Sequence, residues 1–187
     1  MDAYLGIFSA FGLSASAGLN GYIPLLVIGL MARFTNLITL RSPWDLLTSW
    51  WIIGLLIVLS LIEFLVDKFP VINHINDIII QSFVRPTAGA IVFAASTNAI
   101  SDVNPILALG LGLLVSGGVH AVKSAAIRPA VTAVSGGTAN VPVSVAEDVT
   151  STTLSILSVV VPIAVLIIVV LFFTWLIWHF YLRSPED

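Results

Sequence analysis

Five apolar stretches, of which the third is short, constrain this chain more than any other feature of its sequence. They run from about Tyr4 to Met31, from Leu46 to Val66, from Thr87 to Ile100, from Ile106 to Val134 and from Val149 to Tyr181. A helix that crosses a membrane needs about 20 apolar residues, because each residue rises about 1.5 Å through a hydrocarbon core about 30 Å thick. The pattern therefore predicts an all-α membrane protein, a polytopic helical bundle that forms a single transmembrane domain over residues 1–187.

Composition supports this class of protein and argues against several others. Hydrophobic residues make up 58% of the chain and charged residues only 9%, whereas a soluble domain carries about 25% charged residues. The net charge is −3 and no basic cluster is present, so nucleic acid is not an expected partner. Because the chain has no cysteine and no nucleotide-binding or zinc-protease motif, we expect no enzymatic activity, no cofactor and no metal site.

The first and fourth stretches are too long for one upright crossing of a membrane. A continuous helix of about 30 residues would reach about 45 Å, well beyond the hydrocarbon core. Both stretches contain residues that favour a helix break, namely Gly18, Asn20, Gly21 and Pro24 in the first and Gly117 and Gly118 in the fourth. We expect each stretch to form a broken helix or a re-entrant pair of half-helices. The alternative is that the glycines only allow neighbouring helices to pack closely.

Two motifs recur at nearly the same spacing, which favours an internal pseudo-repeat. The segment Gly12–Gly18 aligns with Gly112–Gly118, and the Ser-x-x-acid pattern of Ser42–Asp45 aligns with that of Ser144–Glu147. The second pattern is typical of a capping box at a helix start. The predicted halves cover about 4–67 and 104–182, joined by an amphipathic helix over 71–85 and a short span over 87–100. The copies are inverted if the broken helices cross the membrane, and parallel if they are re-entrant.

Ionisable and amide side chains occur inside or beside these apolar stretches, where they are costly and by default suggest function. We predict a substrate or ion pathway formed by Asn20, Glu63, Asp67, Lys68, Asp77, Arg85, Ser116, His120, Lys123, Arg128, Asn140, Glu147 and Asp148. The alternatives are solvated helix ends, cations that extend to the membrane surface, and hydroxyls that hold helices together.

Spacing suggests how these charges are made tolerable in an apolar interior. Ser116, His120, Ser124 and Arg128 follow one another at steps of four, which places them on one helix face, and Lys123 lies beside them. We expect Lys123 and Arg128 to pair with Glu147 and Asp148. In the first half, we expect Arg85 and Lys68 to pair with Glu63, Asp67 or Asp77.

Six segments together resemble one known family. They are Leu13–Asn20, Glu63–Pro70, His74–Asp77, Val84–Pro86, His120–Pro129 and Ser135–Asp148. The sequence resembles the prokaryotic integral-membrane family labelled domain of unknown function 4126 over nearly its whole length. The resemblance implies a small multi-pass protein of the prokaryotic inner membrane, and it implies no particular activity.

Three functions remain open at this stage. The leading hypothesis is a small membrane transporter or channel with a polar site between two Gly-broken helices, which takes a small solute or ion, with an anionic solute favoured. The alternatives are a structural or assembly protein with buried ion pairs, and a flippase-like protein that handles lipid headgroups. A transporter predicts a water-accessible cavity that reaches Asn20, His120 and Lys123, whereas a scaffold predicts a dry core. A lipid-handling protein predicts a lateral groove that ends at Lys123 or Arg128. Gly- and Ala-rich faces also suggest a homo-oligomer.

Overall fold

The computed structural model describes residues 3–66, 79–97 and 103–179, and all regular secondary structure in these ranges is helical. The helices are α1 (Ala3–Leu19), α2 (Tyr22–Phe34), a 3₁₀ helix (Trp44–Thr48), α3 (Trp50–Val66), α4 (Gln81–Thr97), α5 (Pro105–Val122), a π-helical turn (Lys123–Ile127), α6 (Arg128–Ser135), α7 (Asn140–Val160) and α8 (Pro162–Ile177). The predicted all-α class is confirmed for these residues. Asp67, Lys68 and Asp77 lie outside the described residues.

The centre of the fold is a close three-helix contact between α1, α4 and α5. Small residues make it possible, because a Cβ added to Gly112 would lie 2.6 Å from Phe93 Cβ and 2.7 Å from Ala90 Cα. The hydroxyl of Ser14 crosses this contact and donates to the carbonyls of Gly89, at 3.1 Å, and Gly112, at 2.8 Å. Helices α7 and α8 cover the other side of α1, and α2 packs between α3 and α7.

The first apolar stretch is interrupted at Asn20 and Gly21, between the end of α1 and the start of α2. The other residues predicted to break it lie within helices. Gly18 is inside α1, where a Cβ would lie 2.6 Å from the carbonyl oxygen of Ser116, so this glycine allows close packing. Pro24 lies in the first turn of α2, where a missing amide hydrogen costs nothing.

The fourth apolar stretch corrects the prediction of a break at Gly117 and Gly118. Helix α5 passes through both glycines without interruption, and with the π turn and α6 it forms a helical run of 31 residues, Pro105–Ser135. Glycine lacks a side chain but keeps its amide hydrogen, so the helical hydrogen bonds continue. The irregular turn lies instead at Lys123–Ile127, just before Pro129, whose ring is incompatible with a regular preceding turn.

Both predicted capping boxes are wrong. Ser144 and Glu147 lie inside α7, which already begins at Asn140, and α3 begins at Trp50, after Ser42 and Asp45. The start of α3 is capped by Ser49, whose hydroxyl accepts from the Ile52 amide at 3.3 Å. The division at Pro86 is also wrong, since α4 continues through this proline. Its packing on α1 and α5 offsets the lost hydrogen bond. The fifth apolar stretch, predicted from Val149 to Tyr181, is divided into α7 and α8 at Val161, just before Pro162.

Among the described residues, two helical runs are long and apolar enough to cross a membrane by the measures of length and composition. They are Pro105–Ser135 and Asn140–Val160. The runs Leu5–Leu19, Tyr22–Phe34 and Trp50–Val66 are apolar but shorter.

Candidate functional site at the helix break

Arg85 stands at the centre of one polar cluster, which we call the Arg85 cluster and which contains the buried Glu63 and His120 and the exposed Ser82. Arg85 Nη2 lies 3.0 Å from Glu63 Oε1, and both side chains are 1% exposed. Arg85 Nη1 lies 3.3 Å from His120 Nδ1, and Ser82 Oγ lies 3.5 Å from His120 Nε2. A guanidinium group can only donate, so His120 Nδ1 accepts and the proton of the neutral ring is on Nε2.

A second cluster, the Lys123 cluster, consists of Lys123, Arg128 and Glu147. Lys123 Nζ lies 3.0 Å from Glu147 Oε2. Arg128 binds the same carboxylate with two nitrogens, since Nε donates to Oε1 at 3.1 Å and Nη2 donates to Oε2. The Lys123 side chain is 1% exposed, whereas the side chains of Arg128 and Glu147 are each 11% exposed. This cluster therefore extends from the sealed interior towards the surface.

The break between α1 and α2 is connected directly to this second cluster. Lys123 Nζ donates to the carbonyl of Leu19, at 3.1 Å, which is the last residue of α1. Asn20 Oδ1 accepts from the amides of Tyr22 and Ile23, at 3.0 and 3.1 Å, and so caps α2. Asn20 Nδ2 donates to Asp148 Oδ1 at 2.9 Å. Lys123 thus satisfies the free carbonyl at the end of α1, and the side chain of Asn20 satisfies free amides at the start of α2.

A set of buried hydroxyls continues the polar interior between α1 and α7. Ser16 Oγ lies 2.9 Å from Ser151 Oγ and 2.6 Å from Ser155 Oγ, and it donates to the Ser151 carbonyl at 2.8 Å. On the other side of α1, Ser116 Oγ donates to the Arg85 carbonyl at 2.7 Å. Ser16 was not among the predicted pathway residues, although its place in the repeated glycine motif was a signal for it.

The two clusters and the helix break together contain equal numbers of positive and negative side chains. Arg85, Lys123 and Arg128 are cationic, and Glu63, Glu147 and Asp148 are anionic. Burying an isolated ion costs several kcal/mol, and pairing offsets most of this cost. Replacing such a pair with apolar side chains is often neutral or stabilising, so the need for a stable fold does not by itself account for six interior charges.

The predicted pathway residues are only partly brought together. The expected pairs Arg85–Glu63, Lys123–Glu147 and Arg128–Glu147 all occur. Asn140 lies apart from them in the α6–α7 hairpin, where its Oδ1 accepts from Thr132 Oγ1 at 3.1 Å. Within the described ranges, no group of three His, Asp or Glu side chains could hold a metal ion.

An apolar groove of about 310 Å³ lies beside the Lys123 cluster, between α1, α5, α7 and α8. The stem of Lys123 forms part of its wall. The other lining residues are Ala15, Leu19, Val119, Val122, Ile127, Thr150, Leu154, Ile168, Phe172 and Phe173. Its lining suits a hydrocarbon chain better than a hydrated solute.

Comparisons with known proteins identify a family and no closer relative. No curated protein and no solved structure matches the chain. The sequence profile of one family, described as Domain of unknown function (DUF4126), matches residues 7–181. The match covers nearly the whole chain, in agreement with the resemblance noted in its motifs. The chain therefore belongs to the DUF4126 family.

Proposed function

We propose that this chain is a multi-pass protein of the prokaryotic inner membrane and that it works as a small transporter or channel. The membrane assignment is supported by an inside-out distribution of polarity. Large apolar side chains such as Trp51, Ile106 and Leu114 are exposed, whereas Arg85 and Lys123 are buried. In water this distribution would be unfavourable, and in a lipid bilayer it is the favourable one.

The transport assignment rests on the broken helix α1–α2. Inside a membrane, a backbone interruption is tolerated only where it is buried in protein or faces a polar cavity. Transporters commonly place their binding sites at such discontinuous helices, where free carbonyls and amides bind ions. Here the carbonyl at the end of α1 is bound by Lys123, and Asn20 connects the start of α2 to Asp148. We regard this junction, with the two clusters beside it, as the pathway.

In this proposal the described conformation is the closed state. The cations are held by carboxylates, and transport requires these pairs to separate while α1 or α7 moves. A structural or assembly role would need no such opening, because the same ion pairs would simply hold the bundle together.

A specific observation also favours a second candidate, a lipid-handling protein. Lys123 forms part of the wall of the apolar groove of about 310 Å³, so an acyl chain in the groove would lie beside a charged residue. In that case the groove admits the chain laterally and the Lys123 cluster binds the headgroup.

The absence of native cysteines allows a direct test of the closed-state proposal. Ser151→Cys places a thiol at the break-side contact of α1 and α7, and Ser14→Cys is its matched control in the α1–α4–α5 contact. Both serines are fully buried and both bond to a neighbouring helix. Each variant is reconstituted into proteoliposomes and treated from outside with a charged, membrane-impermeant methanethiosulfonate reagent. Labelling is followed by mass spectrometry.

A transporter or channel predicts that Cys at position 151 is labelled by the water-soluble reagent at least tenfold faster than Cys at position 14, because the pathway opens to water. Equal and negligible labelling of both thiols would contradict the transport proposal and favour a scaffold. Labelling of position 151 by a lipid-soluble maleimide alone would favour the lipid-handling candidate.

A further inference from the structure

We propose that Lys123 and Arg128 form a binding site for the carboxylate or phosphate group of an anionic ligand, and that Glu147 fills this site in the closed state. The inference rests on the proposed function, since it names the class of substrate. In this view Glu147 is a tethered substitute for the ligand, and the ligand replaces it when the pathway opens.

The geometry around Glu147 is that of an oxyanion site. The guanidinium of Arg128 places Nε and Nη2 on the two carboxylate oxygens, and the ammonium of Lys123 approaches one of them from another direction. The planar fork of arginine matches both carboxylate and phosphate, and lysine adds a compact point charge. A carboxylate or phosphate of a ligand would meet the same donors without any change in the two cations.

The π turn brings the two cations together. Lys123 is the first residue of this turn and Arg128 directly follows it. In a regular α-helix, residues five apart diverge by about 140° around the axis. The wider π turn reduces this divergence, so both side chains reach one carboxylate. Single π turns inside helices are often found at functional sites.

Exposure to solvent distinguishes this site from the buried Arg85–Glu63 ion pair. The side chains of Arg128 and Glu147 are each 11% exposed, whereas those of Glu63 and Arg85 are each 1% exposed. Within the cluster itself, the Lys123 side chain is only 1% exposed and so lies deeper than Arg128. An anion can therefore approach Arg128 first and reach Lys123 next.

Local charge also favours an anion. Lys123 and Arg128 contribute two positive charges, and Asp148, bonded to Asn20 at the break, contributes one negative charge. When the Glu147 side chain moves away, a monoanion restores neutrality in the interior. A second cation in its place would increase the imbalance, which is costly in a low-dielectric environment.

The ligand group has two plausible sources, a dissolved anion and the phosphate of a lipid headgroup, and the test separates them. Glu147→Ala removes the tethered carboxylate and leaves a space of its size, and Glu63→Ala does the same at the buried Arg85–Glu63 pair. Purified full-length variants are melted in detergent with sodium acetate or inorganic phosphate, against sodium chloride at equal ionic strength. The same variants are then melted in nanodiscs of phosphatidylglycerol and of phosphatidylcholine.

If the site binds oxyanions, the melting temperature of Glu147→Ala should rise with acetate or phosphate concentration and then saturate. At saturation, the anion should restore at least half of the melting temperature that the substitution lost. The melting temperature of Glu63→Ala should rise little with added anion, because Arg85 is only 1% exposed and a dissolved anion cannot reach it. Adding Arg128→Gln to Glu147→Ala should abolish the gain. The wild type should not respond, because a tethered carboxylate competes at a high effective concentration. Recovery only in phosphatidylglycerol nanodiscs would assign the site to a headgroup.

The inference is overturned if neither dissolved anions nor phosphatidylglycerol stabilise Glu147→Ala more than Glu63→Ala. If Glu147→Ala does not fold, Glu147→Gln is compared with Glu63→Gln instead, because an uncharged amide competes only weakly with a dissolved anion for Lys123 and Arg128. This outcome is independent of thiol labelling at position 151. Labelling without anion binding would leave the transport proposal standing and remove only the anionic substrate.

Discussion

The Nη2 atom of Arg85 lies 3.0 Å from Oε1 of Glu63, and this pair joins α4 to α3 in the interior. The pair is separated by 22 residues along the chain. Because His120 on α5 also contacts the Arg85 guanidinium at 3.3 Å, three helices meet at one charged group. The position of α3 relative to the core therefore depends on an electrostatic contact as well as on apolar packing.

Removing one partner of this pair should strongly destabilise the protein. We expect Glu63→Gln and Arg85→Gln each to lower the free energy of unfolding by about 3–5 kcal/mol, because each leaves an uncompensated buried charge. The double variant Glu63→Leu with Arg85→Met should recover most of this loss, because no charge is left in the interior. Titration with SDS, followed by circular dichroism, measures these free energies.

An exposed arginine provides the control for that experiment. Arg33 lies 4.2 Å from the centroid of the Trp50 ring and donates to the Thr48 carbonyl, but it faces the surface. Arg33→Met should cost less than about 1 kcal/mol, as is typical of exposed charges. Similar costs for Arg33→Met and the two single variants would refute a special role for the buried pair.

Two glycines on α5 should respond in opposite directions to alanine. A Cβ at position 112 would collide with α4 at Phe93 and Ala90, so Gly112→Ala should cost about 1–3 kcal/mol through overpacking. Nothing lies within 4 Å of a Cβ at position 118, so Gly118→Ala should be neutral or stabilise the helix by up to about 1 kcal/mol. Thermal melts of both variants measure the difference. Strong destabilisation by Gly118→Ala would restore the prediction of a helix break there.

Replacements of Asn20 should show how the helix break is held. Asn20→Asp keeps the oxygen that caps Tyr22 and Ile23 but places a second carboxylate beside Asp148, whose Oδ1 is 2.9 Å from Asn20 Nδ2. Repulsion between the two carboxylates should therefore make Asn20→Asp less stable than Asn20→Ala. Asn20→Ala should lose about 1 kcal/mol from the missing cap. Melting temperatures of the two variants test both expectations, and an Asn20→Asp variant as stable as Asn20→Ala would argue against the contact with Asp148.

The turn that places Arg128 opposite Glu147 contains two glycines with positive φ, Gly136 at 59° and Gly137 at 89°. Gly136 ends α6 with a φ of 59°, in the left-handed region, which costs an L-residue about 1–2 kcal/mol. Gly136→Ala should therefore destabilise the protein by about 1 kcal/mol, and Gly136→Asn should do so less, because asparagine tolerates this region. A Cβ at Gly136 has open space within 4 Å, so a loss above about 3 kcal/mol in the melting experiment would contradict this backbone explanation.

Several features could be predicted from the sequence because they depend on local chemistry. Apolar stretches of helical length predicted an all-α chain, and this is confirmed for the described residues. The break at Asn20 and Gly21 was predicted from residues that favour interruption. The pairing of Lys123 and Arg128 with Glu147 was predicted because unpaired charges are too costly in an apolar interior.

Other features required the positions of distant segments. Gly18 and Gly117 have the same local signal as a helix break, yet both lie within continuous helices. Gly18 shows why, since the contact of α1 with the Ser116 carbonyl determines its role. The Ser-x-x-acid pattern at Ser144 and Glu147 likewise failed as a capping box, because α7 already begins at Asn140. Inside α7, Glu147 pairs with Lys123 and Arg128.

By itself, the sequence determined that the chain is helical, that its first apolar stretch is interrupted, and that its interior charges must be paired. Only the tertiary structure decided that Lys123 donates a hydrogen bond to the last carbonyl of α1, and that Asn20 donates one to Asp148, 128 residues away. Local propensity and the cost of burying charge depend on residue types and short spacings, which can be read directly. The choice among several possible partners depends on helix register and crossing, which are set by close packing of small residues across the whole bundle.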